Sequence, residues 1–159
     1  MSRLQLSIRI EKPFIRLVNK SLMRRAVELT LACAGISYLA ELSLVIADDD
    51  TVHELNRTYR GVDRTTDVIA FALSQQTCRE AEPFVIPPDA VIHLGEVIIS
   101  YPQAKRQAEE QHHSIECELA LLVAHGVLHL VGYDHELPKD RKKMRALEAE
   151  ALSLIESKE

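Results

Sequence analysis

Three histidines near the end of the chain have the residue type and the spacing of a metal site. His125, His129 and His135 follow the pattern H-x3-H-x2-G-x2-H. Residues four apart on a helix share one face, about one turn from each other, so the first two imidazoles can point the same way. Gly132 stands between the second and third histidines, where glycine permits a left-handed turn back toward the first two. The spacing therefore predicts three imidazoles around one point.

Three nitrogen ligands favour one zinc ion per chain, with nickel or copper allowed on affinity alone. Three protein ligands leave a fourth position for water, as catalytic zinc sites do and closed structural sites do not. A buried cluster of three imidazoles is hard to satisfy without a shared ion, because each ring has two nitrogens that need partners. Asp134 and Glu136 flank His135. Either carboxylate can orient a histidine by accepting its second N–H, or can serve only as a surface cap.

The residue after His125 separates this pattern from the zinc proteases that share its spacing. Metzincins read H-E-x-x-H-x-x-G-x-x-H, and their glutamate is the general base. Gly126 stands at that position and cannot accept a proton. A protease of the usual zincin mechanism is therefore disfavoured. We also expect the glycine to open space beside the metal for a bulkier substrate.

Length and composition fit one domain over residues 1–159, with 47% hydrophobic residues available for a core. Apolar runs fall short of the roughly 18–20 residues of a membrane helix, and residues 1–11 contain no signal-peptide core. We therefore expect a cytoplasmic protein with no membrane partner. The formal net charge of −5 argues against broad, non-specific nucleic-acid binding. Basic residues still cluster in 57–64 and in 139–145, and the second cluster is either a solvated helix face or a contact for phosphate or an acidic partner.

The elements that must position these residues alternate between strand and helix patterns. Alternating or continuous apolar residues predict strands at residues 4–10, 41–47, 67–73 and 91–99. Helical spacing and capping residues predict helices over 14–34, 52–59, 102–111, 115–130 and 139–155. Residues 75–89 include prolines and indicate an irregular excursion. We predict one mixed domain with a single sheet of about four strands and helices on its faces.

The histidine segment closely resembles the signature of the YbeY-type endoribonucleases, the family of rRNA maturation factors. That signature, H-G-x-L-H-L-x-G-Y-D-H, stands in this chain as HGVLHLVGYDH. Upstream, LNRTYR at 55–60 is similar to the family's L-N-x-x-Y-R, TDVIAF at 66–71 to its T-D-V-L-S-F, and LGEV at 94–97 to its L-G-D-I. Two positions depart from the family pattern. Ala70 replaces the usual serine and Thr65 the common proline, so that serine's role is either dispensable or taken by a neighbour.

The resemblance implies an α+β fold with a central, mostly four-stranded mixed sheet packed by about five helices. It places a zinc site on a C-terminal helix and the loop that follows. It further implies a zinc-dependent, single-strand-specific endoribonuclease acting in 16S rRNA 3′-end maturation, ribosome biogenesis and ribosome quality control. Its partners would be single-stranded RNA, small-subunit rRNA and ribosomal subunit or assembly proteins. The alternatives are a metal-dependent hydrolase of another substrate class and a non-catalytic zinc-binding ribosome assembly factor.

Arg60 is the catalytic candidate outside the histidines. A guanidinium matches phosphate geometry with two hydrogen bonds and stays charged, and the resemblance points to the same residue. The alternative is a structural ion pair with Asp63 or Asp67. Tyr59, Thr66 and Asp67 are further substrate-contact candidates, although a tyrosine at helical spacing is more often core and Asp67 more often sets the turn into its strand. The general base stays open: water attacks the phosphate directly, or the substrate's 2′-OH is deprotonated and yields a 2′,3′-cyclic phosphate.

Overall fold

The structure, a computed structural model, describes residues 4–36, 39–73, 91–133 and 138–157. The described part contains four strands and five α-helices, with a short 3-10 helix at Lys12–Phe14. In chain order they are β1 (Leu4–Ile10), α1 (Lys20–Cys33), β2 (Leu39–Ala47), α2 (Asp49–Arg60), β3 (Val68–Ala72), β4 (Val91–Ser100), α3 (Tyr101–Gln111), α4 (Ile115–Leu130) and α5 (Pro138–Ser157). The predicted excursion at 75–89 lies outside the described residues.

The four strands form one mixed sheet in the order β1-β2-β4-β3. Strands β1, β2 and β4 are parallel to one another, and β3 pairs antiparallel with β4, which sets Val68 opposite Ile99. The C-terminal halves of the two central strands are buried on both faces and are mostly apolar, as internal parallel strands are. The α+β class with a four-stranded mixed sheet and five helices is therefore confirmed.

The helices cover the two faces of the sheet unequally. On one face α4 lies against β3 and β4 and also contacts α1 and α5, so its sequence is apolar on most sides. The residues of this main core include Leu44, Ile46, Val97, Ile99, Val123 and Val127. On the other face α2 buries Val52 in a smaller cluster with residues of β2, β3 and β4.

Within the described ranges, no helix combines the length and the apolar character needed to cross a membrane.

The first helix starts later than the apolar spacing predicts. The prediction of a helix over 14–34 is wrong at its beginning, because Asn19 caps α1 by accepting a hydrogen bond from the Leu22 N–H at 3.1 Å. Before that cap the chain bends through the 3-10 helix, and Phe14 stacks on Tyr101 with ring centroids 4.9 Å apart. An apolar residue that packs on another element can thus extend a helical pattern in the sequence beyond the real start of the helix.

Candidate active site

Helix α4 carries the first two histidines of the pattern. The rings of His125 and His129 lie one turn apart, with centroids separated by 4.8 Å and planes inclined by 69°. The helix begins at the predicted cap, where Ser114 Oγ accepts a hydrogen bond from the Cys117 N–H at 3.0 Å. It ends at Leu130, and Gly132 then adopts the positive φ of 109° that the turn was predicted to need.

The third predicted ligand, His135, lies outside the described residues, as do Asp134 and Glu136. The described part of the chain therefore brings together two of the three predicted ligands, and no cluster of three metal-binding side chains occurs within it. The zinc ligand set stays a prediction.

A carboxylate on the last helix holds His125 in place. Glu148 Oε2 of α5 lies 2.7 Å from His125 Nδ1, and the Glu148 side chain is 15% exposed. The motifs of the sequence do not include Glu148, and its one signal is its position among Met144, Ala151 and Ile155, which are buried residues of α5. A charged residue on an apolar helix face indicates a specific partner, because an unpaired buried charge is costly.

The two imidazoles line a cavity of about 500 Å³ between α4, the end of α2 and the start of β3. All the predicted site residues that the structure describes line this one cavity: Tyr59, Arg60, Thr66, Asp67, His125 and His129. Ala70, the position where the family resemblance leads us to expect serine, lines it too and leaves that part of the wall without a hydroxyl group.

The end of α2 is shaped by Asn56, which is only 3% exposed. Its carbonyl oxygen accepts the backbone N–H of Gly61, the left-handed cap of the helix with φ 71°. Its side-chain Nδ2 donates to the Arg64 carbonyl oxygen at 2.8 Å. These bonds fold the chain back after α2, so that Arg60 and Asp67 reach the same cavity. The type and spacing of this asparagine in the sequence do not predict the role.

Arg60 is exposed at the wall of the cavity. The alternative of a structural ion pair named Asp63 and Asp67 as partners. Asp63 Oδ1 lies 2.7 Å from His53 Nε2, and Asp67 accepts from the Val68 N–H and from Gln107. Within the described ranges neither carboxylate pairs with Arg60, which leaves the guanidinium available for an anion.

Asp67 sets the turn into β3, as predicted: its Oδ1 accepts the Val68 N–H at 2.8 Å. Its Oδ2 accepts from Gln107 Nε2 at 3.2 Å, and the same amide nitrogen donates to Glu118 Oε2 at 2.8 Å. The buried Glu118 also binds His113 Nε2 at 2.6 Å. One amide group thus links two carboxylates beside the cavity.

Tyr59 is not a core residue, so the alternative to its predicted substrate contact is wrong. It is 68% exposed and stands edge-on to Phe71, with ring centroids 5.4 Å apart. Tyr59 follows the spacing of the buried residues Val52 and Asn56, but it lies near the end of α2, where its ring is exposed. The exposed face of the ring is available to a planar ligand.

Gly126 lines the cavity together with His125 and His129, but a side chain at this residue would point toward the sheet. A Cβ atom at this residue would lie 2.6 Å from Val97 Cγ1 and 3.4 Å from Val68 Cγ2. The glycine therefore lets α4 approach the sheet closely. The zincin glutamate could not stand here without separating the helix from β4.

The fold of this chain is similar to the solution structure of TM1509 from Thermotoga maritima. The TM-score is 0.63 and the sequence identity is 26%, and the match covers 97% of this chain and 91% of that one. The profile of the family described as Endoribonuclease YbeY matches residues 7–156.

Relatives from that family resemble the chain over most of its length. The Endoribonuclease YbeY of Roseiflexus castenholzii is 44% identical over 149 residues, 93% of this chain and 91% of the relative. That of Pelotomaculum thermopropionicum is 47% identical over 134 residues, 84% of each chain. The chain belongs to the Endoribonuclease YbeY family, which confirms the resemblance drawn from its motifs. Membership supports the role of an RNA-cleaving hydrolase.

Proposed function

We propose that the chain is a zinc-dependent, single-strand-specific endoribonuclease that acts in 16S rRNA 3′-end maturation, ribosome biogenesis and ribosome quality control. The observation that carries the proposal is the convergence of His125, His129 and Arg60 on one cavity, in a chain of this family. The proposed location is the cytoplasm, and the proposed partners are small-subunit rRNA and ribosomal subunit or assembly proteins.

His125, His129 and His135 would hold one zinc ion. The two described ligands suit that ion: both are nitrogen donors, one turn apart on a single helix face. Because Glu148 contacts His125 Nδ1, the other ring nitrogen, Nε2, would be the one to bind the metal. A zinc ion bound here would supply a Lewis acid that polarises a phosphoryl oxygen and acidifies water.

Arg60 would bind the scissile phosphate from the opposite wall. Its guanidinium can donate two parallel hydrogen bonds to phosphate oxygens. Negative charge grows on the phosphate as it is attacked, and a cation already in place stabilises that charge without reorganisation. The lack of a carboxylate partner among the described residues supports this role, since an ion-paired arginine would first have to exchange its partner.

Tyr59 would favour unpaired RNA. A base stacked on an aromatic ring contributes about 1–3 kcal/mol, and only a base outside a duplex can offer its face. The exposed ring of Tyr59 is on the wall next to Arg60, where a base beside the bound phosphate would fall. Thr66 and Asp67 complete that wall and would hydrogen-bond the ribose, the carboxylate accepting from a 2′-OH.

The net charge of −5 bears on the partners. An acidic chain lacks the long-range attraction for phosphate backbones that basic RNA-binding domains use. Recruitment by a ribosomal subunit or an assembly protein would supply the local RNA concentration that charge does not.

A cleavage assay tests the proposal. The purified zinc-loaded chain is given one RNA sequence as a single strand, as a duplex, and as a single strand with one 2′-deoxy position. We expect cleavage of the single strand and little of the duplex. A 2′,3′-cyclic phosphate product, together with protection at the deoxy position, would identify the 2′-OH route. Equal cleavage of duplex and single strand, or none of either, would contradict the proposal.

A further inference from the structure

We propose that Glu148 is a positioning residue that fixes the tautomer and ring orientation of His125, so that Nε2 binds the metal. The inference rests on the zinc site proposed above and adds a residue from the last helix to it. The contact is direct, with Glu148 Oε2 at 2.7 Å from His125 Nδ1.

The position of Glu148 in α5 argues against a purely structural role. Met144, Ala151 and Ile155 are each at most 2% exposed and lie four residues before, three after and seven after Glu148. That spacing puts the carboxylate on the core-facing side of the helix. Stability alone would favour an apolar residue there, because removing a carboxylate from water costs free energy that a single pair only partly offsets.

The chemistry of the contact explains what the carboxylate does. A neutral imidazole carries one proton, and the nitrogen that donates a hydrogen bond keeps it. A carboxylate at Nδ1 therefore holds the proton on that nitrogen and leaves the lone pair on Nε2. It also stops the ring from turning.

The helix that carries Glu148 is anchored near its far end. Arg25 of α1 donates from Nη2 to the carbonyl oxygens of Ile155 at 2.6 Å and Leu154 at 3.4 Å. The last carbonyl groups of a helix have no partner within it, so a guanidinium there fixes the helix end against its neighbour. Helix α5 is thus fixed at its end by α1 and in its middle by the core. These contacts fix the position of Glu148 beside His125.

Zinc affinity and ring tautomer together test the proposal. Zinc affinity is measured by competition with a chromophoric chelator in wild type, Glu148→Ala and Glu148→Gln. We expect Glu148→Ala to bind zinc about 10–100-fold more weakly, the range found for lost hydrogen-bond partners of metal ligands. Glu148→Gln should lose less, because its amide oxygen still accepts from Nδ1–H. Unchanged affinity in both variants would overturn the proposal.

Nitrogen-15 NMR of the zinc-free protein gives a second readout that a merely structural role would not move. In its neutral form, wild-type His125 should carry its single ring proton on Nδ1. Glu148→Ala should move the proton toward Nε2, and Glu148→Gln should keep it on Nδ1. The same tautomer in wild type and Glu148→Ala would contradict the proposal.

Glu118→Gln is the matched control. Glu118 is on the same helix as His125, is also little exposed, and binds a different histidine, His113. We expect this variant to keep wild-type zinc affinity. An equal loss in Glu118→Gln and Glu148→Gln would mean general loosening of α4 and would overturn the positioning role. A wild-type chain that binds no zinc would instead contradict the proposed function, while the tautomer measurement would still decide whether Glu148 positions His125.

Discussion

Asn56 Nδ2 donates a hydrogen bond to the carbonyl oxygen of Arg64 at 2.8 Å, from a side chain that is almost fully buried. This bond closes the loop between α2, which ends in Arg60, and β3, which is preceded by Asp67. The positions of Arg60 and Asp67 at the cavity thus depend on one amide group that does not itself line it.

Replacing that amide should therefore affect both folding and activity. We expect Asn56→Ala to lower the free energy of unfolding by about 1–3 kcal/mol, because the Arg64 carbonyl loses its partner in a partly buried place. Urea denaturation measures this change. Thr58→Ala, at an exposed position of the same helix, should change stability by less than about 0.5 kcal/mol. Equal stability of the two variants would show that the Asn56 bond is unimportant.

Close packing of α4 on the sheet predicts a second effect on stability. Gly126→Ala should destabilise the fold by about 1–3 kcal/mol, because its Cβ would meet Val97 Cγ1 at 2.6 Å. Shortening the neighbour should relieve the clash, so the double variant with Val97→Ala should lose less than the sum of the two single losses. Strictly additive losses would refute the contact as the cause.

Arg60 should act on cleavage and leave metal binding unchanged. We expect Arg60→Ala to reduce the cleavage rate at least roughly 100-fold, as loss of a transition-state charge stabiliser does. Arg60→Lys should be intermediate, because an ammonium keeps the charge but loses the paired hydrogen bonds. Arg57→Ala, one turn earlier and ion-paired with Glu54, is the control and should cleave like wild type. A comparable loss in the control would indicate general damage to α2.

Acid stability should depend on Asp49. Burial raises the pKa of this carboxyl group, but hydrogen bonds from Ser100 and Arg106 and the charge of Arg106 outweigh it and lower the pKa overall. A group whose pKa is lowered by folding stabilises the fold at pH values above its unfolded-state pKa, which is about 3.9. This stabilisation is lost as the pH falls through the pKa of the folded state.

We therefore expect the free energy of unfolding of wild type to fall more steeply than that of Asp49→Asn as the pH drops below about 5. Urea titrations at a series of pH values measure the two slopes. Asp50→Asn, an exposed neighbour in the same helix turn, should keep the wild-type slope. Parallel curves for wild type and Asp49→Asn would contradict the assignment.

The sequence predicted the positions of all four strands and the two histidines that share a face of α4, because apolar period and helix caps are local signals. It also predicted which residues meet at the cavity, because the family motifs contain them, although the motifs do not show which contacts they make. It did not predict that Glu148 binds His125, or that Gln107 joins Asp67 to Glu118. Those contacts link residues 11–40 positions apart, and no local pattern encodes which distant partner a polar side chain will find.

Tyr59 and Gly126 show why local patterns alone mispredict some surroundings. Tyr59 fits the spacing of a buried helix position, and Gly126 fits an open position beside a metal. The packing of their helices on the sheet determines what each residue contacts. Tyr59 lies near the end of α2 and is exposed, while a Cβ atom at Gly126 would meet Val97 of β4. The environment of such residues depends on packing between elements, and the local periodicity of the sequence carries no information about that packing.

The central claim is that histidines of α4 hold a zinc ion required for RNA cleavage. The most direct measurement is zinc content and single-strand cleavage of wild type and His129→Ala, with His93→Ala as the control. His93 is an exposed histidine of β4 whose Nδ1 contacts Glu41. The account predicts about one zinc ion per chain and full cleavage in wild type and His93→Ala, with both lost in His129→Ala. Cleavage that persists in His129→Ala without zinc would contradict it.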